Sequence, residues 1–303
     1  MSLFRFLLLA LLFTGCATRG EKLRTEFLIT PDQKILDIPF IAQTDYHCGP
    51  AALAMVSNSL GVETTSEELS SMLYTPQAKG TFQNDLMAAT RRLGFIAVPV
   101  KDIKQIFDEI NNGNPILIFQ NLGLSWIPKW HYALVVGYDL NQNEMILHSG
   151  ETKNYRIKIS TFESTWKRVD NWGLIIVRPG SIPKTASEID MIKASARLET
   201  TGHMNNAKIS YEKILEKWPE SLGSQIGLGN IYYQLNDYEK SSFHLKQATD
   251  SHPNASGAWY NYAIVLMTMK KKEEAHFAAK KALETTDPAA AKIYKVGLKN
   301  LLD

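Results

Sequence analysis

Apolar and polar positions in the first third of the chain follow mainly helical spacing. An apolar segment, Ala-Ala-Leu-Ala-Met-Val, starts at Ala51 and is typical of a buried helix that ends near Gly61. Hydroxyl caps before acidic residues mark a second helix start at Thr65. The pattern then predicts helices at 82–93 and 102–110 and buried strands at 95–100 and 115–120.

Strand patterns dominate the following part of the chain. Residues 131–139 and 144–149 are predicted to form a hairpin, and further strands are predicted at 154–160 and 172–178. A short edge strand is expected at 35–40, where Pro39 stops it. Helices followed by a mainly antiparallel sheet predict an α+β domain over residues 36–179.

A repeat follows a predicted linker at residues 180–187. Pro219, Pro253 and Pro288 are 34 and 35 residues apart, and each follows a helical segment. Small and large residues precede these prolines at the spacing of a tetratricopeptide repeat: Ala194, Leu198, Ala207, Tyr211, Ile214, Leu228, Gly229, Tyr232, Leu245, Ala248, Trp259, Tyr262, Ala263, Ala275, Ala279 and Ala282. Residues 188–303 are therefore expected to form an all-α solenoid of about three repeats with a capping helix.

Arrays of this type commonly present a concave surface, built from their first helices, to a peptide or protein. The resemblance implies that an unidentified partner would contact Ile226, Asn230, Tyr233, Tyr260 and Ile264. The alternative is that the repeats only stabilise the first domain.

Cys48 has the sequence context of a nucleophile. It precedes the apolar helix, and Pro50 has a fixed φ that suits the first turn. The positive end of the helix macrodipole is expected to favour the thiolate over the thiol. Gln43, five residues upstream, can place its amide beside the sulfur as an oxyanion donor. His131 opens a predicted buried strand and is the candidate base.

These motifs resemble a known family. Gln43, the Cys48-Gly49-Pro50 segment, and a strand His-Tyr-Ala-Leu-Val-Val-Gly-Tyr from His131 are similar to those of the papain-like double-glycine peptidases, which process bacteriocins. The resemblance covers roughly residues 36–179. It implies a papain-like fold, a cysteine nucleophile, a histidine base, a glutamine in the oxyanion hole, and a peptide substrate with small residues such as Gly-Gly at the cut.

The family pattern also implies an Asp that orients the histidine, and here the chain departs from it. In the predicted hairpin, the end of the second strand returns beside His131, where this chain has Ser149. A serine can accept a hydrogen bond from the imidazole but does not stabilise imidazolium as a carboxylate does. Asp139 lies at the far end of the strand, and Glu151 would require a bend. A Cys-His dyad, a weakened triad and a retired enzyme all stay open.

The N-terminus predicts export and anchoring. Residues 1–15 have Arg5 and a short apolar run typical of a signal peptide. Cys16 follows Gly15 as in a bacterial lipobox, although Phe13 stands where Leu is usual. The resemblance implies lipidation of Cys16 and an outer-membrane lipoprotein that faces the periplasm, the inner membrane being the other option. The mixed and charged residues at 16–35 are expected to form a tether. The alternative is an ordinary signal peptide or an uncleaved anchor.

Composition excludes several other classes of protein. A net charge of +2, from 33 basic and 31 acidic residues, gives no electrostatic indication of nucleic-acid binding. Two cysteines, one of them in the leader, exclude a disulfide framework. Cys48 with His47, His131 or His148 lacks the ligand spacing of a zinc site, so no metal or cofactor is predicted.

Three functional hypotheses follow. The first is a membrane-tethered cysteine peptidase in which the repeats recruit a protein or peptide. The second keeps the thiol but transfers the acyl group to an amine. The third is a non-catalytic adaptor lipoprotein, in which Cys48 is an inert buried cysteine and His131 a core histidine.

Overall fold

The computed structural model describes residues 18–43 and 47–298. The predicted signal peptide at 1–15 and the lipidation site Cys16 lie outside these residues. In the described part of the chain, no helix combines the length and apolar character that crossing a bilayer requires.

The chain divides into two compact units. One holds the chain up to Leu86 together with Pro99–Ile176, and the other holds Met87–Val98 together with the chain from Val177. The elements of the α+β part are, in order, α1 (Arg19–Phe27), β1 (Gln33–Ile35), α2 (Cys48–Ser59), α3 (Ser66–Leu73), α4 (Gln83–Arg92), β2 (Ile96–Val100), α5 (Ile103–Asn111), β3 (Ile116–Asn121), β4 (Trp130–Asp139), β5 (Glu144–Ser149), β6 (Thr152–Lys158), α6 (Ile159–Lys167) and β7 (Gly173–Val177).

Strand β4 is central in a seven-stranded sheet, in which six strands have the order β2-β7-β3-β4-β5-β6 and β1 pairs with β4 outside this order. Strand β5 pairs along one edge of β4, and β3 and then β1 pair along the other edge, all antiparallel. Helix α2 packs on β3 and β4 and buries every residue from Gly49 to Ser57. This packing fixes the helix that begins at Cys48 against the strand that carries His131, and the α+β fold class is confirmed.

The prediction of a tether over residues 16–35 is corrected by helix α1. Thr18 caps this helix: its hydroxyl accepts a hydrogen bond from the Glu21 amide, and the Glu21 carboxylate accepts one from the Thr18 amide. The sequence contains this capping box as Thr-x-x-Glu, but the charged residues around it show no apolar helical period, so no helix was predicted here.

Helix α1 is docked on the same unit by polar contacts. The guanidinium of Arg19 forms a bidentate pair with Glu163 on α6, at 2.8 and 2.7 Å. The amide of Gly20 donates to Asn143 Oδ1 at 2.8 Å, in the turn that follows β4. The folded domain therefore begins within two residues of Cys16.

Two predicted strands also differ from the structure. The predicted strand 35–40 is replaced by β1, which ends at Ile35, because the chain then turns and the Ile38 amide donates to the Leu36 carbonyl at 3.2 Å. The predicted strand 154–160 ends earlier, and helix α6 follows it. The helix buries Ile159, Phe162 and Trp166, whose spacing of three and four residues is helical.

The C-terminal part is a series of helical hairpins. Its helices are α7 (Glu188–Thr200), α8 (Met204–Lys217), α9 (Leu222–Gln234), α10 (Tyr238–Ser251), α11 (Ser256–Thr268), α12 (Lys272–Glu284) and α13 (Pro288–Gly297). Most of the predicted repeat positions are buried, including Ala194 and Leu198 of the first, degenerate copy. The predicted arrangement of three hairpins followed by a further helix is therefore observed.

Gly229 on α9 permits the close approach of α10. A Cβ at this position would lie 2.6 Å from Cγ of the fully buried Leu245. We expect Gly229→Ala to lower the free energy of unfolding by about 1 kcal/mol, because overpacking outweighs the helix propensity that alanine gains. Gly257→Ala is the matched control, because its Cβ would meet nothing closer than Tyr294 Oη at 3.6 Å. Urea unfolding of both variants checks this, and equal midpoints would contradict it.

Candidate active site

Four predicted site residues converge where β4 begins and β5 ends. Because β4 and β5 are antiparallel neighbours, the start of β4 lies beside the end of β5. His131 Nε2 and Ser149 Oγ are 2.8 Å apart. The hairpin therefore brings the Ser149 hydroxyl within hydrogen-bond distance of the imidazole.

The two carboxylates considered for the same role lie elsewhere. Asp139 is at the other end of β4, where it pairs with Arg156 at 3.3 Å. Glu151 lies past the end of β5, and its side chain is exposed. Among the described residues, the orienting partner of His131 is therefore a hydroxyl group.

Gln43 is fixed to the residue that follows Ser149. The backbone amide of Gln43 donates to the Gly150 carbonyl at 3.0 Å. The backbone amide of Gly150 donates to the side-chain oxygen Oε1 of Gln43 at 3.0 Å. The residue is 6% exposed, and its Nε2 has no hydrogen-bond partner among the described residues. These two hydrogen bonds thus hold the glutamine, while its side-chain nitrogen Nε2 stays available to another group.

Cys48 is the first residue of α2, and its sulfur contacts β4. The amide of Tyr132, the residue after His131, donates to Cys48 Sγ at 3.5 Å. The preceding His47 packs its ring edge-on against Tyr74, with centroids 5.4 Å apart. The thiol is therefore placed at the same end of β4 as the imidazole, and Tyr132 is a contact that the sequence analysis missed.

Burial determines the protonation states of Cys48 and His131 in the protein without substrate. Desolvation raises the pKa of the Cys48 thiol, and the hydrogen bonds from nearby backbone amides offset this only in part. Desolvation, assisted by the charge of Lys129, lowers the pKa of His131 to about 4. The expectation that the helix N-terminus yields a thiolate is corrected: at neutral pH the site holds a thiol and a neutral imidazole.

This protonation state predicts a pH profile. Alkylation of Cys48 by iodoacetamide should follow one ionisation above the ordinary thiol value of about 8.5, because the reactive thiolate is disfavoured by burial. His131→Ala should leave the profile unchanged, since the imidazole is neutral over this range. A reactive plateau near pH 6 that disappears in His131→Ala would contradict the assignment. Stopped-flow alkylation between pH 5 and 10 makes the measurement.

His148 supports the end of β5. Its side chain is fully buried, with Nε2 at 3.1 Å from the Ile38 carbonyl and Nδ1 accepting from the Asn154 amide at 3.3 Å. Burial lowers the pKa of His148, so the ring is neutral. The ring fixes the strand that ends at Ser149.

An apolar hairpin precedes the site. It joins β3 to β4 and closes through the Leu124 amide and the Ile127 carbonyl, 3.1 Å apart. Trp126 is 74% exposed and Ile127 67% exposed at its tip. Trp130, at the start of β4, stacks on Phe119 with centroids 5.6 Å apart. This hairpin places exposed apolar side chains directly before the start of β4.

The residues predicted to bind a partner lie on the first helices of the repeats. Asn230 on α9 accepts from Asn261 on α11 at 2.8 Å, and Tyr233 Oη is 3.4 Å from Thr268 Oγ1. Ile226 is half-buried on α9.

Tyr260 and Ile264 lie on α11 and pack against a core that includes Leu298, the residue after α13. The Tyr260 ring stacks on Tyr294 with centroids 4.6 Å apart. One face of this ring is therefore occupied by the chain itself.

Two family models match the chain. Residues 35–173 match the model of the peptidase C39-like family. Residues 223–254 and 256–286 each match the tetratricopeptide repeat. No curated protein matches the chain. The resemblance predicted from Gln43, Cys48 and His131 is thereby confirmed at the level of the family.

Solved structures resemble both parts. A Bacillus anthracis protein described as a C39-like peptidase gives a TM-score of 0.42 at 18% identity, covering 48% of this chain and 98% of that one. The peptidase domain of Streptococcus ComA, a bifunctional ABC transporter, gives 0.37 at 23% identity, covering 48% and 97%. YrrB, a repeat protein described as having an unusual peptide-binding site, gives 0.33 at 20% identity, covering 38% and 60%.

Proposed function

Residues 35–173 form a peptidase C39-like domain and the chain continues into tetratricopeptide repeats, and from this we propose that it is a cysteine peptidase whose repeats recruit a peptide or protein. Cys48 is the nucleophile, His131 the base, Gln43 the oxyanion donor and Ser149 the residue that orients the imidazole.

The proposed reaction starts from neutral groups. Sγ of Cys48 attacks the carbonyl carbon of the scissile peptide bond while its proton passes to His131. With Nε2 directed at Ser149, Nδ1 is the ring nitrogen left to take that proton. His131 then protonates the leaving amine as the C–N bond breaks, which leaves a thioester on Cys48. Water, deprotonated by His131, hydrolyses the thioester, and the proton returns to sulfur.

The observation that carries the proposal is the free amide nitrogen of Gln43. A buried donor without a partner costs roughly 1–3 kcal/mol. Among the described residues Nε2 has none, although two hydrogen bonds to Gly150 hold the residue. A donor fixed in this way, on the residue that follows Ser149, suits an oxyanion that exists only during the reaction.

A peptide chloromethyl ketone tests the proposal. The chain from Ala17 contains one cysteine, Cys48, because the only other is Cys16. Incubation with a Gly-Gly chloromethyl ketone should add one peptidyl group, which peptide mapping should place on Cys48. Cys48→Ala gives the background. A native chain that stays unlabelled, although its unfolded form reacts, would refute the peptidase.

One observation favours a non-catalytic adaptor: burial raises the pKa of Cys48, as it does for an inert buried cysteine. On that alternative the wild type and Cys48→Ala would support cellular function equally.

Acyl transfer to an amine is distinguished from hydrolysis by analysing the products in the presence of added amines, because a transferase would give the amide.

We also propose that Cys16 is lipidated and that the chain is an outer-membrane lipoprotein that faces the periplasm. The lipobox-like Thr14-Gly15-Cys16 after a short apolar run supports this. Metabolic labelling with a fatty-acid analogue, compared between wild type and Cys16→Ser, tests it. Equal labelling of the two would refute lipidation at this residue.

A further inference from the structure

A buried hydroxyl group without a hydrogen-bond partner lies next to the nucleophile helix α2. In the described residues of the first unit, three buried side-chain atoms have no hydrogen-bond partner: Arg24 Nε, Gln43 Nε2 and Thr81 Oγ1. Arg24 Nε is ion-paired with Asp32 at 2.9 Å. Gln43 is bonded to the residue after Ser149, and Thr81 packs on the residue after Cys48. The reaction proposed above uses only Gln43.

Thr81 packs directly on the residue that follows Cys48. A Cβ built on Gly49 would lie 2.9 Å from Cβ and 2.9 Å from Oγ1 of Thr81. Only a glycine at position 49 therefore leaves room for this threonine. The hydroxyl group is thus held against the first turn of α2.

The segment before Thr81 fixes its position. The Thr75 amide donates to the Gly80 carbonyl at 2.8 Å, which closes a turn containing a short 3₁₀ helix, Pro76–Ala78. Helix α4 begins two residues after Thr81, at Gln83. Thr81 is therefore presented from a closed turn between two helices.

Thr81 is also joined to the strand that carries the base. Its carbonyl accepts a hydrogen bond from Tyr132 Oη at 3.2 Å, while the Tyr132 amide donates to Cys48 Sγ. One tyrosine thus contacts both the nucleophile and the backbone of Thr81. Side chains from three elements, α2, β4 and the turn before α4, converge on one small region.

From this convergence we infer that Thr81 contacts the substrate: its hydroxyl forms a hydrogen bond with the peptide backbone next to the scissile bond. The inference rests on the proposed peptidase function and adds a residue to it. A buried hydroxyl without a partner is unfavourable in the resting protein, and an apolar side chain of the same shape would avoid that cost. A peptide bound at Cys48 supplies N–H and C=O groups whatever its side chains are, and a hydroxyl can pair with either.

Two substitutions separate the hydroxyl from the packing. Thr81→Val keeps the shape against Gly49 and removes the hydroxyl, while Thr81→Ser keeps the hydroxyl and removes the methyl group. The probes are a Gly-Gly chloromethyl ketone, which carries a peptide backbone, and iodoacetamide, which does not. Both are applied to the chain from Ala17, which contains every described residue.

We expect Thr81→Val to react about tenfold more slowly with the peptide probe, the effect of one lost neutral hydrogen bond, and at the wild-type rate with iodoacetamide. Thr81→Ser should stay within about twofold of the wild type with both probes. The midpoint of urea unfolding of Thr81→Val should equal or exceed that of the wild type, because no hydrogen bond within the folded chain is lost.

Three results would overturn the inference. Equal rates for Thr81→Val and the wild type with the peptide probe would show that the hydroxyl makes no contact. Slow reaction of both variants with the peptide probe would show that any change of side chain at this position slows the reaction, so that the hydroxyl has no specific part in it. Slower reaction of Thr81→Val with both probes would show that Thr81 only positions Cys48. A wild type unreactive towards the peptide probe would instead refute the peptidase itself, which is a distinct failure.

Discussion

Cys48→Ala and His131→Ala are each expected to lower the hydrolysis rate of a Gly-Gly peptide by roughly 10³-fold or more, and the double variant should lose no more than the worse single variant. The two residues act on one proton, so removing either leaves the other without a role. Because the resting thiol and imidazole are both neutral, the imidazole is already in the form that accepts a proton at neutral pH. A fluorogenic peptide with Gly-Gly before the cut gives the rates.

A matched control comes from the repeats. His276 is an exposed histidine on α12, so His276→Ala removes an imidazole without touching β4. Its rate should stay at the wild-type value. Losses that multiply in the double variant, to about 10⁶-fold, would mean that Cys48 and His131 act independently and would contradict a nucleophile–base pair.

Gln43→Glu is expected to lower kcat for the same peptide by about 10²- to 10³-fold. The substitution keeps an oxygen for the Gly150 amide but replaces the free Nε2 donor with a carboxylate oxygen, which repels a developing oxyanion. Alkylation by iodoacetamide forms no oxyanion, so the variant should lose far less there than in peptide hydrolysis. The comparison of hydrolysis with alkylation is the measurement.

Gln142→Glu is the matched control, because it introduces the same charge at an exposed position in the turn after β4. It should hydrolyse the peptide at the wild-type rate. If Gln43→Glu also retained full hydrolysis, the buried amide would have no part in catalysis, and the observation on which the function rests would need another explanation.

Most of the candidate site residues could be predicted from local sequence motifs. Gln43, Cys48 and His131 could be found because their spacing and flanking residues are themselves informative. Ser149 followed from hairpin geometry, since a strand end returns beside the start of its neighbour. Thr81 had no such signal: it is 33 residues beyond Cys48, and only tertiary packing on Gly49 brings the two together.

The prediction that Cys48 is a thiolate was wrong for a related reason. The sequence shows that Cys48 opens a helix, which favours a thiolate. It does not show how much protein surrounds the sulfur, and burial outweighs the nearby amides. Charge balance depends on the environment of a group, which is a property of the folded chain.

Helix prediction failed where packing or short caps decided the outcome. Helix α1 begins at a four-residue capping box within a segment of mixed charges, and this segment has no long apolar period from which a helix could be predicted. The repeats were easier, because the same spacing recurs three times and small residues at fixed positions let helices approach. Repetition supplied the evidence that a single short helix lacks.

The docking of α1 determines how far an anchor at Cys16 would lie from the catalytic residues. Gly20 is bonded to Asn143 in the turn that follows β4, whereas His131 is the second residue of that strand. The eight residue-to-residue steps from His131 to Asp139 span about 27 Å in an extended strand. Only Ala17 and Thr18 separate Cys16 from α1. An acylated N-terminus would thus hold the domain by one end of its central strand and place the thiol at the other, within reach of peptides in the aqueous phase and away from the point of attachment.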